Sequence, residues 1–99
     1  MSFQLNNQQR KYLKGLAHNR KPVITVGQNG LTPSLMEELQ QTLAHHELIK
    51  IKLPAGDKAI RKEMLETICK QTDASLVTLI GRNGVIFLQA KKSRIALPA

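Results

Sequence analysis

The sequence predicts an α/β domain in the order αβαβαββ, built as two layers with a four-stranded mixed sheet. Three amphipathic helical segments alternate with short β-rich runs, which is typical of α/β folds with right-handed crossovers. Leu48–Leu53 alternates apolar residues with lysines, so one sheet face should be covered by helices and the other should be wetter. The chain has 99 residues, 41% of them apolar, which fits a single domain spanning 1–99.

The first helix is predicted from Asn6 to Ala17, with Asn6 and Gln9 forming a capping box. Pro22 disfavours a helical conformation at Lys21, so the chain should become extended there. The first strand is therefore predicted over 22–26.

A glycine turn joins this strand to the second helix. The run Val26-Gly27-Gln28-Asn29-Gly30-Leu31-Thr32-Pro33 offers Thr32 as N-cap and Pro33 as the first helical residue. Two glycines allow close backbone approach, and a helix start presents unpaired N–H groups and positive dipole charge, which suit a phosphate. On spacing alone, a simple turn explains the two glycines better than a phosphate site does.

The remaining elements follow from periodicity. Helices are predicted over 33–45 and 58–71, and strands over 48–53, 76–80 and 85–89. The third helix should begin at Asp57 as N-cap and bury Ile60, Met64, Leu65, Ile68 and Cys69. A second Gly-x-x-Gly, Gly81-Arg82-Asn83-Gly84, contains Asn-Gly and is explained by a hairpin turn, with Arg82 on its exposed tip. The basic tail 91–99 should be partly extended or mobile.

Positive charge is segregated along the chain. Lys and Arg number 15 against 7 Asp and Glu, giving a net charge of +8 and a pI of about 10.1. No acidic residue occurs before Glu37 or after Asp73. Such unbroken basic segments are typical of polyanion binders, the alternative being solvated faces of a basic protein.

Several other classes are disfavoured. One cysteine, Cys69, excludes an internal disulfide, and it is most simply a small core residue. His45 and His46 are adjacent and should point in different directions, which favours a role at a helix end over a metal site. No nucleophile has a base in sequence context, so neither enzymatic activity, a cofactor nor a small-molecule substrate is expected. Without a signal peptide or apolar span, the chain should be cytoplasmic and have no membrane partner.

Aromatic residues are too few for base stacking. Phe3, Tyr12 and Phe87 make up 3% of the chain, and there is no Trp. Modules that read single strands need several such rings, whereas structured RNA is recognised by shape and backbone. The expected partner is therefore structured RNA, although charge alone does not exclude DNA.

Four segments, in order along the chain, resemble the bacterial YhbY family, the stand-alone form of the CRM (chloroplast RNA splicing and ribosome maturation) domain. They are Tyr12-Leu13-Lys14-Gly15-Leu16-Ala17-His18, Lys21-Pro22-Val23, Val26-Gly27-Gln28-Asn29-Gly30-Leu31-Thr32 and His45-His46-Glu47-Leu48-Ile49-Lys50. The resemblance implies a fold similar to the C-terminal domain of translation initiation factor 3. It also implies RNA binding during maturation of the large ribosomal subunit, with a glycine loop likened to that of KH domains.

The predicted function is therefore binding of large-subunit precursor rRNA, the alternative being a module that docks on a ribosomal protein or assembly GTPase. Basic residues from both ends of the chain are expected to gather around the Gly27–Gly30 bend in one cradle. The candidate RNA-binding residues are Gly27, Gln28, Asn29, Gly30, Arg10, Lys11, Lys14, Arg20, Lys21, Lys50, Lys52, Arg82, Lys91 and Lys92.

Overall fold

The computed structural model describes residues 5–89 and 95–98. Within them the elements are α1 (Asn7–His18), β1 (Ile24–Thr25), α2 (Pro33–His46), β2 (Leu48–Lys52), α3 (Lys58–Thr72), β3 (Ser75–Ile80) and β4 (Asn83–Phe87). The predicted αβαβαββ order and the four-stranded mixed sheet are confirmed. The helices match the predicted ranges to within one residue at each end, whereas β1 is shorter than expected.

Each helix begins at the cap that the sequence predicts. The amide of Gln9 donates to Asn6 Oδ1 at 2.8 Å, and the Asn6 amide donates to Gln9 Oε1 at 3.1 Å, which completes the capping box. Thr32 Oγ1 accepts from the Leu35 amide at 3.2 Å, and Asp57 Oδ1 accepts from the Ala59 amide at 2.9 Å. Local side-chain chemistry thus sets all three starts.

The strands lie in the order β1-β2-β4-β3, with β1 parallel to β2 and the other pairs antiparallel. One row of paired residues crosses three strands as Thr25, Lys52 and Asn83. Residues paired across strands share a face of the sheet. The parallel direction also puts the starts of β1 and β2 at one end of the sheet and their carboxyl ends at the other.

Helices α2 and α3 cover one face of the sheet. Ile49, Ile51 and Leu53 point to this face, as the alternation predicts, and are buried against both helices. The residues of this core cluster are Ile24, Val26, Leu39, Leu43, Ile49, Ile51, Leu53, Leu65, Ile68, Ala74 and Ile86.

The opposite face is not simply wet, which corrects the two-layer arrangement. Helix α1 lies on it and buries Leu13 and Ala17 against Leu48, Val85 and Phe87. The sheet is therefore sandwiched between α2 and α3 on one side and α1 on the other. The prediction went wrong because Lys50 and Lys52 mark only the part of this face that α1 leaves uncovered, whereas Leu48 begins the covered part.

Two local predictions also need correction. Asn83 pairs with Ile80, so Gly81-Arg82 forms the hairpin turn, with Gly81 at a φ of +59°. Gly84 lies inside β4, where an added Cβ would stand 2.6 Å from Leu65 Cδ1, so glycine is needed for α3 to approach the strand. Ile60, expected in the core, is 55% exposed because it lies on the outer side of α3.

Candidate nucleic-acid interface

The Gly27–Gly30 loop closes as a tight turn beyond the carboxyl end of β1. The Gly30 amide donates to the Gly27 carbonyl at 3.1 Å, and Gly30 takes a φ of +71°. Gln28 and Asn29 are exposed at the tip. The loop, together with Thr32 and Leu35, lines an open depression of about 410 Å³ in front of α2.

Lys52 and Arg82 lie at the same end of the sheet as this loop. The Val26 amide donates to the Lys52 carbonyl at 2.8 Å, directly before Gly27. Arg82 Nε donates to the Leu53 carbonyl at 2.8 Å, so the arginine is held beside the end of β2. By register, Lys52 lies on the α1 face of the sheet between Thr25 and Asn83.

A groove between α1 and the sheet continues from this row. Lys14 and His18 on α1 face Lys50 on β2 across a cavity of about 250 Å³. Its other lining residues are Ala17, Thr78, Ile80, Asn83 and Val85. Three groups that can bear positive charge are thus gathered over an uncovered part of the sheet.

Arg20 and Lys21 lie at the other end of β1. Arg20 Nη1 donates to the carbonyl of Leu48 at 2.9 Å, at the start of β2. Lys21 precedes Gly27 by six residues, which is about 20 Å of extended chain. Both line a cavity of about 570 Å³ with His45 and His46 from the end of α2.

Two further candidates lie on α1. Arg10 Nε donates to the carbonyl of Leu76 at 3.2 Å, next to the start of β3, and Lys11 is exposed. The candidates Lys91 and Lys92 fall outside the described residues.

The described residues therefore do not form one cradle around the bend. They form a basic band, defined here as Lys52, Lys50, Lys14, Arg20 and Lys21, that runs along the α1 face from the loop end to the opposite end of β1. The expectation of a cradle went wrong because Arg20 and Lys21 lie before the start of β1, whereas the glycine loop follows its carboxyl end.

Acidic residues avoid the face that carries the basic band. Six of the 7 acids lie in, or cap, α2 and α3: Glu37, Glu38, Asp57, Glu63, Glu66 and Asp73. The seventh, Glu47, is the C-cap of α2 and is only 2% exposed. The fold thus converts charge segregation along the chain into charge segregation between two faces.

The other candidates for chemistry lie in the core or at the end of a helix. Cys69 packs against the α2–α3 core as expected, and burial, with a smaller contribution from Glu66, raises the pKa of its thiol to about 11. A thiol with this pKa is not a nucleophile at neutral pH. His45 and His46 form the last turn of α2, as expected.

Two further kinds of feature are absent from residues 5–89 and 95–98. No cluster of three or more His, Cys, Asp or Glu side chains arranged to hold a metal ion occurs among these residues. None of their helices is long and apolar enough to cross a membrane.

The sequence interpretation did not bring His45 and His46 together with Arg20 and Lys21. The sequence contained a signal for this proximity. Arg20 and Lys21 precede β1, His45 and His46 precede β2, and parallel strands start at the same end of the sheet. The predicted right-handed crossover from β1 through α2 to β2 joins parallel strands, and it therefore already implied this proximity.

Comparisons with known proteins agree with this architecture. Residues 5–87 match the family described as CRS1 / YhbY (CRM) domain. A protein of Haemophilus influenzae named RNA-binding protein is 37% identical over 95% of both chains. A Pseudomonas aeruginosa protein named probable RNA-binding protein is 36% identical, over 89% of this chain and 85% of its own.

The fold itself has a solved counterpart. The solution structure of a hypothetical Staphylococcus aureus protein, proposed there to bind RNA, superposes with a TM-score of 0.85 and 33% identity, covering 96% of this chain and 100% of that one. The resemblance inferred from sequence motifs is confirmed by the family match and by both relatives. This chain belongs to the CRS1/YhbY (CRM) domain family.

Proposed function

We propose that the protein binds structured RNA through its phosphate backbone, and that its target is rRNA of the large ribosomal subunit precursor. The observation that carries the proposal is the basic band on the α1 face, which continues from the glycine loop while exposed acids lie with α2 and α3. A polyanion would approach this face and be repelled by the other.

The loop and the band have different parts in this binding. Gln28 and Asn29 are neutral, and Pro33 has no N–H to donate, so the loop positions RNA through its remaining backbone amides and side-chain amides. The lysines and arginines of the band supply most of the attraction and release counterions when they neutralise phosphates. This division favours recognition of shape over recognition of base sequence.

The relatives support binding over catalysis. The Haemophilus influenzae and Pseudomonas aeruginosa proteins are named for RNA binding and not for a reaction. The ribosomal target rests on family membership, because the CRM resemblance implies a role in large-subunit maturation.

Charge removal on one face at a time tests the RNA-binding proposal. The triple variant K14A/K50A/K52A should bind a structured RNA more weakly and with a shallower salt dependence. The negative slope of log K against log salt should decrease in magnitude by about 2 to 3, since each lost phosphate contact removes about 0.7 to 0.9. The matched control is K58A/K62A/K70A, which removes the same charge from exposed positions on α3. Equal loss of affinity in both variants would show that net charge, and not the band, drives binding.

The ribosomal target is tested by sedimentation with subunit precursors and crosslink mapping. We expect co-sedimentation with large-subunit precursors, crosslinks from the α1 face to rRNA, and release upon nuclease digestion. Association that survives complete removal of RNA would instead favour docking on a ribosomal protein or an assembly GTPase.

A further inference from the structure

A second concave site lies at the end of the basic band, opposite the glycine loop. The open cavity of about 570 Å³ is bounded by the segment before β1, the end of α2, the start of β2 and Ile95. Its lining residues are Arg20, Lys21, Val23, His45, His46, Leu48 and Ile95. This volume falls within the range of small-ligand pockets.

The cavity combines apolar walls with planar cationic or aromatic groups. Val23 is 50% exposed, so an apolar side chain is left uncovered within a polar rim. Ile95 is a second, half-buried apolar lining residue, and two imidazoles stand at the end of α2. Unpaired RNA bases bind in such settings, between apolar walls and the planes of His or Arg side chains.

Arg20 is fixed in place at this cavity. Its Nη1 donates to the Leu48 carbonyl at 2.9 Å, which holds the guanidinium at the start of β2. The group keeps further N–H donors that can reach a phosphate. Less conformational entropy is lost on binding when the side chain is already ordered.

The helix dipole sets the orientation of an occupant. The end of α2 carries partial negative charge from its last carbonyls, which disfavours a phosphate next to His45 and His46. A phosphate is therefore favoured at Arg20 and Lys21, and a neutral base at the imidazoles and Val23. Since this arrangement has one place for a base and one for its phosphate, it matches a single nucleotide.

We propose that this cavity holds one unpaired nucleotide of the bound RNA, with its base against Val23 and the imidazoles of His45 and His46 and its phosphate at Arg20 and Lys21. This inference rests on the proposed function, because the remaining RNA is held by the basic band. The protein would then recognise the shape of the RNA and would also require one extruded base at this cavity.

Three RNA stems that differ at one position test the proposal: fully paired, with a single bulged nucleotide, and with an abasic residue at the bulge. The wild-type protein should bind the bulged stem about fivefold or more tightly than the abasic stem, as expected for one stacked base. Both Val23→Ser and His46→Ala should remove this preference. Lys50→Ala should weaken binding to all three stems by the same factor and keep the preference, because Lys50 lies in the band.

The outcomes separate the two proposals. Equal affinity of the wild-type protein for the bulged and abasic stems would overturn the nucleotide site while leaving RNA binding in place. A preference that persists in both cavity variants would overturn it as well. Failure of the wild-type protein to bind any of the stems, at low or high salt, would overturn the proposed function itself.

Discussion

The two glycines of the loop should respond differently to substitution by alanine. Gly30 has a φ of +71°, and its nearest contact for an added Cβ is Met64 Cε at 4.0 Å, so backbone strain is the only cost. A non-glycine residue in this region costs about 1–2 kcal/mol. For a domain of this size, Gly30→Ala should lower the Tm by about 5–15 °C.

Gly27→Ala should leave the fold intact. Gly27 has no positive φ, and an added Cβ meets nothing within 4 Å, so the free energy of unfolding should change by less than about 0.5 kcal/mol. The same Cβ would stand on the loop surface where RNA backbone is proposed to approach. Loss of one hydrogen bond to a charged phosphate, about 1.5 kcal/mol, would lower RNA affinity about tenfold.

Thermal unfolding by circular dichroism and RNA binding by fluorescence anisotropy measure the two effects separately. Gly30→Asn is the matched control, because asparagine tolerates the left-handed region and should recover most of the lost stability. Full RNA affinity in Gly27→Ala would show that the bend only turns the chain. An unchanged Tm in Gly30→Ala would refute the strain argument.

Three more predictions concern the core, the thiol and sequence preference. Gly84→Ala should destabilise the protein by about 1–3 kcal/mol, because its Cβ would meet Leu65 Cδ1 at 2.6 Å, and urea unfolding measures this loss. The pKa of the Cys69 thiol is raised from 9.0 to about 11 in the folded protein. The contribution of the neutral thiol to the free energy of unfolding should therefore be complete below pH 9 and lost as pH rises toward 11. A Cys69→Ala variant measured over the same pH range isolates this contribution. An RNA stem whose base pairs are inverted without a change of shape should bind within about twofold of the original, and a tenfold loss in competition assays would indicate base readout.

Secondary structure was readable from the sequence because it depends on local chemistry. The caps Asn6, Thr32 and Asp57 each act on amides two or three residues away, so neighbouring residues contain the whole signal. The predicted hairpin turn, Gly81 to Gly84, extends two residues too far because Asn83-Gly84 is a stronger turn signal than Gly81-Arg82. The deciding fact was not local: Gly84 must lie under Leu65 of α3.

The position of α1 was missed although β4 indicated it. Val85, Ile86 and Phe87 are consecutive apolar residues and all are buried, which is typical of a strand covered on both faces. Lys50 and Lys52 on β2 predict a wetter face, but they describe only the end of that face that α1 leaves uncovered. Both β2 and β4 are central strands, and only β4 carries its apolar run on both faces, so its pattern indicates the second helical layer.

The candidate interface could be predicted as a set of residues but not as a surface. Basic residues were identifiable from composition, yet their grouping depends on strand direction. Arg20 and Lys21 lie before β1 and Gly27 lies after it, so an extended segment separates them. The same parallel direction brings them to His45 and His46.

Aromatic exposure explains why such a surface would recognise shape. Phe87 is buried beneath α1, and Tyr12 is 43% exposed on α1 itself. Neither lines the glycine loop, the groove at Lys14 or the cavity at Arg20. Within the described part of the chain, planar groups at these sites come from histidine and arginine, and they are concentrated at the Arg20 cavity. Base contacts would therefore be confined to one end of the band, while the rest of the band follows the phosphate backbone.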